Sequence, residues 1–172
     1  SSKSITNRSP SISSTSISPT SPTTSSNLTC IASGTDPDND AITVSMVWTN
    51  STQSTSLGSR SSMSLTPSNS QPGDVIVCTS TVMDSYGATG SSTASVQVGN
   101  TDPVISSVTV SPSTSYNNST LSCGVVSSDA DGQSLSTSYT WINESTGSNL
   151  GSGSSVTLSS NTASPNHEIT CI

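Results

Sequence analysis

Four cysteines are the residues of this chain best suited to covalent chemistry, and one interval relates them. Cys123 lies 93 residues after Cys30, and Cys171 lies 93 residues after Cys78. Spacing alone leaves all three pairings of four cysteines open. A zinc site is not expected, because no Cys-x-x-Cys or Cys-His spacing is present and the single histidine, His167, has no second ligand near it in sequence.

A second candidate is the run Asp36-Pro37-Asp38-Asn39-Asp40, whose alternate carboxylates form the kind of oxygen-rich segment that holds calcium. The EF-hand template is not met, since its sixth and twelfth positions would fall on Ala41 and Val47 instead of Gly and Glu. At the 93-residue offset the run becomes Asp129-Ala130-Asp131-Gly132-Gln133, which loses the third carboxylate. Two readings stay open: a turn in which Asp side chains cap backbone amides, which is preferred, or calcium at Asp36, Asp38 and Asp40. No other cofactor is expected.

Acceptor sequences for N-glycosylation occur at Asn7, Asn27, Asn50, Asn117, Asn118 and Asn143. In a chain this rich in Ser and Thr, about five Asn-x-Ser/Thr matches would arise by chance, so the motif is weak here. Asn50 and Asn143 are paired by the offset, and Asn7 is weakened by the nearby Pro10. The Ser/Thr/Pro-rich stretch from Ser9 to Ser26 resembles an O-glycosylated stalk segment. Catalysis needs a nucleophile and a base in mutual reach. With His167 unpartnered in sequence, the cysteines committed and the carboxylates in turns, no catalytic residue is assigned and no enzyme is expected.

The composition bounds the rest. Of 172 residues, 28% are hydrophobic and 3% aromatic, with no Phe. So little apolar surface would ordinarily leave a chain disordered, because burial must offset about 1–2 kcal/mol of backbone entropy per residue. An even number of cysteines changes that expectation toward disulfide-stapled extracellular domains. The formal charge of −7, with only Lys3, Arg8 and Arg60 as cations, excludes a phosphate-binding patch and hence a nucleic-acid partner. No apolar run is long enough to insert in a membrane.

The elements that must position these residues come from a repeat. With the same offset and no gaps, Trp48 falls on Trp141, Leu57-Gly58-Ser59 on Leu150-Gly151-Ser152, Pro72 on Pro165 and Ile76 on Ile169. Asn7–Thr79 and Asn100–Ile172 share 24 identities in 73 positions, which composition cannot produce. The expected organisation is residues 7–99 as a first domain, 100–172 as a second, placed end to end, and 1–6 as the tail of a preceding unit's last strand or a donor strand.

Period-two alternation gives strands and no helix. Leu28, Cys30 and Ala32, matched by Leu121, Cys123 and Val125, mark a strand B. Ile42, Val44, Met46 and Trp48, matched by Leu135, Tyr139 and Trp141, mark a strand C with each Trp facing inward, so that core packing is preferred over a sugar-stacking platform. Met63 and Leu65 mark strand E, Ile76 and Cys78 strand F, and Ala94, Val96 and Val98 strand G, with 83–87 as the F–G turn. If each unit folds by itself, Cys30 pairs with Cys78 and Cys123 with Cys171, each joining strand B to strand F.

A Cys on strand B, a Trp on strand C and a Cys on strand F form the immunoglobulin pattern. With Asn100-Thr101-Asp102-Pro103, Ser18-Pro19, Asn27-Leu28-Thr29-Cys30 and Asp84-Ser85-Tyr86-Gly87, the chain resembles the tandem Ig-like, PKD-like or cadherin-like repeats of bacterial and archaeal surface proteins. Ile76 and Ile169 stand where antibody-type domains carry a corner tyrosine, so the bacterial-type repeat fits better. The resemblance implies an all-β protein of two Greek-key sandwiches at the cell surface or outside the cell. It implies a structural module of a filament, stalk or large surface protein, with an adhesive module as the alternative. Expected partners are neighbouring repeats or subunits, including by strand addition, and attached glycans. The second unit ends one residue after Cys171 and lacks a strand G, for which a window cut from a longer array is the simpler reading and completion by another chain's N-terminus the alternative.

Overall fold

Alternating apolar and hydroxyl side chains, punctuated by Gly, Pro, Asn and Asp, leave no segment with a helical period. The computed structural model, which describes all residues from Ser1 to Ile172, accordingly contains thirteen β-strands and no helix. The chain divides into two compact units, Ser1–Thr101 and Asp102–Ile172.

The first unit comprises β1 (Ser11–Ser18), β2 (Asn27–Thr35), β3 (Thr43–Asn50), β4 (Thr55–Gly58), β5 (Ser62–Ser64), β6 (Val75–Met83) and β7 (Thr89–Gln97). One sheet has the order β1-β2-β5 and the other β4-β3-β6-β7. Side chains from both inner faces meet in a core of Ile17, Leu28, Cys30, Trp48, Met63, Leu65, Ile76, Cys78, Val96 and Val98. The Cys30–Cys78 disulfide ties β2 to β6 through this core. Closing a loop of 48 residues is worth about 4 kcal/mol in the chain-entropy account, a large part of the stability of a domain so poor in apolar residues.

The second unit repeats the plan with β8 (Val104–Ser111), β9 (Thr120–Ser128), β10 (Thr140–Asn143), β11 (Ser148–Ser152), β12 (Ser155–Thr157) and β13 (Ile169–Cys171). Its sheets run β12-β9-β8 and β11-β10-β13, and Cys123–Cys171 joins them. Local irregularities are copied too. Register shifts fall between Ile12 and Ser14 and between Ile105 and Ser107, then again after each Trp. The Ser18–Pro19 and Ser111–Pro112 bonds are both cis. Each Trp is fully buried, and its indole N–H donates to a carbonyl at matching positions, Arg60 and Gly153, at 2.9 Å.

Three expectations need correction. The second unit's strand C does not extend back through Leu135: β10 begins at Thr140, and Leu135 is exposed. In the first unit, β3 residues 43–47 pair with 79–83 of β6, whereas β10 pairs with β13 over Trp141–Asn143 alone. A strand without a neighbour has no ladder to hold it. In the first unit Val44, on the face shared with Trp48, is 40% exposed. Finally, Ser9 to Ser26 is no stalk, since β1 occupies Ser11–Ser18 and buries Ile17.

Candidate functional site

The acidic loop between β2 and β3 is a turn built by Asp36. Its Oδ1 accepts the amides of Asp38 at 2.7 Å and Asp40 at 3.2 Å, while its carbonyl accepts the Asn39 amide. Asn39 adopts φ 59°, a left-handed conformation tolerated by Asn. In the second unit Asp129 makes the same bonds to Asp131 and Gln133, with Gly132 at φ 72° in the corresponding place. The turn is therefore common to both copies, whether or not a third carboxylate is present.

Asp36, Asp38 and Asp40 do converge, with carboxylate oxygens within 4.8 Å of one another. This is the set of side chains able to hold a cation. Asp38 already serves Arg8, accepting its amide at 2.7 Å and its guanidinium at 2.8 Å. Those two hydrogen bonds hold its carboxyl below the ordinary range. Desolvation, then the charges of Asp36, Asp38 and Asp84, push Asp40 up. Oδ2 of Asp36 is buried without a hydrogen-bond partner, but so is Oδ2 of Asp129, where the third carboxylate is Gln133. The orphan oxygen thus goes with the turn and not with a three-carboxylate site.

Asp84 closes the β6–β7 turn. It accepts the Tyr86 and Ala88 amides at 2.9 Å and the Asn7 side-chain amide at 2.9 Å. The Asn7 bond, against some desolvation, lowers its pKa, with the turn amides adding to it. Tyr86, 74% exposed, borders a cavity of about 480 Å3 with Ile5, Asn7, Asp38 and Asp40.

Two of the proposed glycosylation sites are corrected. Asn50 and Asn143 are completely buried at the ends of β3 and β10. The Asn50 amide donates to Asp74 Oδ2 at 2.7 Å and to the Asn69 carbonyl, and its oxygen accepts the Gln53 amide. Asn143 shares a 2.9 Å hydrogen bond with His167 Nδ1 and donates to the Thr162 carbonyl. A buried amide with its hydrogen bonds filled leaves no nitrogen for a sugar. The sequence displays the Asn pair, but the pair reads there as a surface motif. The signal for the structural role is the identity of Asn at one offset position while its partner changes from Asp74 to His167. Asn27, Asn117 and Asn118 are exposed.

No curated protein matches this chain. Among solved structures, the three N-terminal domains of the bacteriophage RB49 highly immunogenic outer capsid protein (Hoc) are similar at 13% identity and a TM-score of 0.35, over 95% of this chain and 53% of that one. The chain thus spans about half the length of that structure. The bacterial Ig domain model matches residues 7–98, which takes in every strand of the first unit. With more than half of its length inside that match, the chain belongs to the bacterial Ig domain family.

Proposed function

We propose that this chain is a structural repeat module of an extracellular filament, stalk or large surface protein, holding neighbours at a fixed spacing and assembling end to end. The observation that carries this reading is the duplication itself. Two sandwiches repeat the same disulfide, Trp, buried Asn and acidic turn, while no side chain is shared out for a reaction that needs a nucleophile and a base. Repetition of scaffold parts with hydroxyl-rich outer faces is what a spacer needs. Glycans on exposed Asn27, Asn117 or Asn118 and on Ser/Thr of the strand surfaces would shield it.

An adhesive module is a second reading, favoured by exposed Tyr86 beside its cavity, since an aromatic ring on a sandwich-end loop is a common anchor. Imaging of the native material by electron microscopy, with mass mapping of its peptides, tests both. Filaments or a surface coat with sugar mass on the exposed sites is expected. Freely diffusing, unmodified protein that binds a glycan and loses it in Tyr86→Ala would replace the first reading by the second.

A further inference from the structure

One hydrogen-bond site is kept in both units while the acceptor in it changes. In the first unit Oδ2 of Asp74 accepts the Asn50 side-chain amide at 2.7 Å and the Gln71 backbone amide at 2.9 Å. The 93-residue offset carries Asn50, Gln71 and Asp74 to Asn143, Ser164 and His167. There Nδ1 of His167 stands 2.9 Å from the Asn143 side-chain nitrogen and 3.3 Å from the Ser164 amide nitrogen. A ring nitrogen thus takes the place of a carboxylate oxygen, with the same two donors aimed at it. A third donor to Asp74, the Gln53 side chain, has no amide at its counterpart Thr146.

The neighbours of Asn143 fix which atoms donate. Asn143 is completely buried, its side-chain nitrogen also donates to the Thr162 carbonyl at 2.8 Å, and its side-chain oxygen accepts the Ser145 amide at 3.1 Å. Turning the amide over would set oxygen against carbonyl and N–H against N–H, so the nitrogen must face the ring. The Ser164 amide can only donate. Nδ1 is therefore the unprotonated nitrogen, and the neutral ring carries its proton on Nε2. The corner joins three segments of the unit. The Asn143 carbonyl accepts the Gly147 amide at 2.8 Å in the β10–β11 turn, and the Glu144 amide donates to the Glu168 carbonyl at 2.9 Å, extending the β10–β13 ladder.

We propose that His167 is a pH switch in the second unit: the neutral ring locks the corner where β10, residues 159–164 and the start of β13 meet, and the imidazolium unlocks it. An imidazolium carries N–H on both nitrogens, so protonation turns the shared acceptor into a donor facing two donors. Histidine is the side chain whose charge ordinarily changes between about pH 5 and 8. The unfolded chain holds no such donors against the ring and takes up the proton freely, so acid pulls the unit toward unfolding. The other titratable groups around the ring are Tyr116, from the β8–β9 loop, and the carboxylates of Glu144 after β10 and Glu168 before β13, all exposed, while residues 159–166 carry none. The two carboxylates attract a proton and oppose the switch, but solvent screens them, whereas both donors lie within hydrogen-bond reach of Nδ1.

The first unit contains no histidine and serves as an internal control. Each unit of the 172-residue chain carries one Trp, so the indole N–H resonances of Trp48 and Trp141 follow the two units separately in urea. Between about pH 7.5 and about pH 5 the folded-to-unfolded ratio of the second unit should drop about tenfold, while that of the first should hold. His167→Asp, which copies the first unit, should remove the drop. Nitrogen-15 shifts of the wild-type imidazole at about pH 7.5 should report a proton on Nε2 alone. A neutral ring protonated on Nδ1, a second unit equally stable at both pH values, or a drop that persists in His167→Asp would each overturn the switch. If His167→Asp does not fold, the wild-type ring shifts and urea curves still decide. The switch concerns the stability of one unit and stands or falls apart from the structural-module reading.

Discussion

Trp48 and Trp141 occupy the same place in the two units, yet the strand carrying the first has eight residues and the strand carrying the second has four. The same contrast runs through the cores. In the first unit β6 and β7 roof over β1, so Ile17 is 7% exposed, whereas its counterpart Val110 is 37% exposed and the neighbouring Ile105 is 61% exposed. The paired sequences are similar there, so the difference lies in what they pack against. Strand formation is a cooperative property of pairs. A sequence with the right alternation stays irregular when the neighbour that would complete its ladder is not in place.

The comparison can be broken most strongly at the disulfides. Removing Cys123–Cys171 by double replacement with Ser takes away about 4 kcal/mol from the unit with six core residues, and removing Cys30–Cys78 takes the same from the unit with ten. The second unit is expected to unfold outright and the first to remain folded at a lower Tm, read as two separate transitions in calorimetry. Equal losses in both would show that the β6–β7 hairpin adds little.

A smaller effect probes that hairpin directly. Gly90 in β7 runs so close to the start of β1 that a Cβ there would collide with the Pro10 carbonyl oxygen. Gly90→Ala must push two backbones apart, at a cost of about 1–3 kcal/mol. Denaturant unfolding should show the loss in the first unit alone, and an unchanged midpoint would mean that the roof over β1 is not tightly seated.

The smallest effect concerns Asn7 and Arg8, which tie the start of the first unit to Asp84 and Asp38. Asp38 and Asp84 are held below the ordinary value of 3.8 by their bonds to Arg8 and Asn7. The unfolded chain therefore takes up these protons first. The stability they give is present above about pH 3.8 and lost as pH falls through their lower folded values. Asp40, raised by desolvation and its acidic neighbours, acts in the opposite sense, and its protonation relieves crowding before that loss sets in. The Arg8 amide resonance should titrate in the acid range, below the ordinary carboxylate value of 3.8. A flat Arg8 titration would show that this segment is held by something other than these carboxylates.

Much of this was legible from spacing. The 93-residue interval between like cysteines, with each Trp between them on the inward phase of its strand, determined the disulfide pairing, the sandwich and the inner half of both cores. Those features depend on side-chain identity at fixed sequence distances, which a repeat displays directly. The fates of Asn50 and Asn143 were not legible, because a sequon and a buried hydrogen-bonded amide use the same letters and differ only in what surrounds them. Nor was the strand status of Leu135, which depended on a partner strand. Sequence by itself determined which residues share the face of each Trp and, for units that fold separately, which cysteines pair. Tertiary structure alone decided how far each strand extends and which amides are buried, since burial and pairing are properties of neighbours distant along the chain.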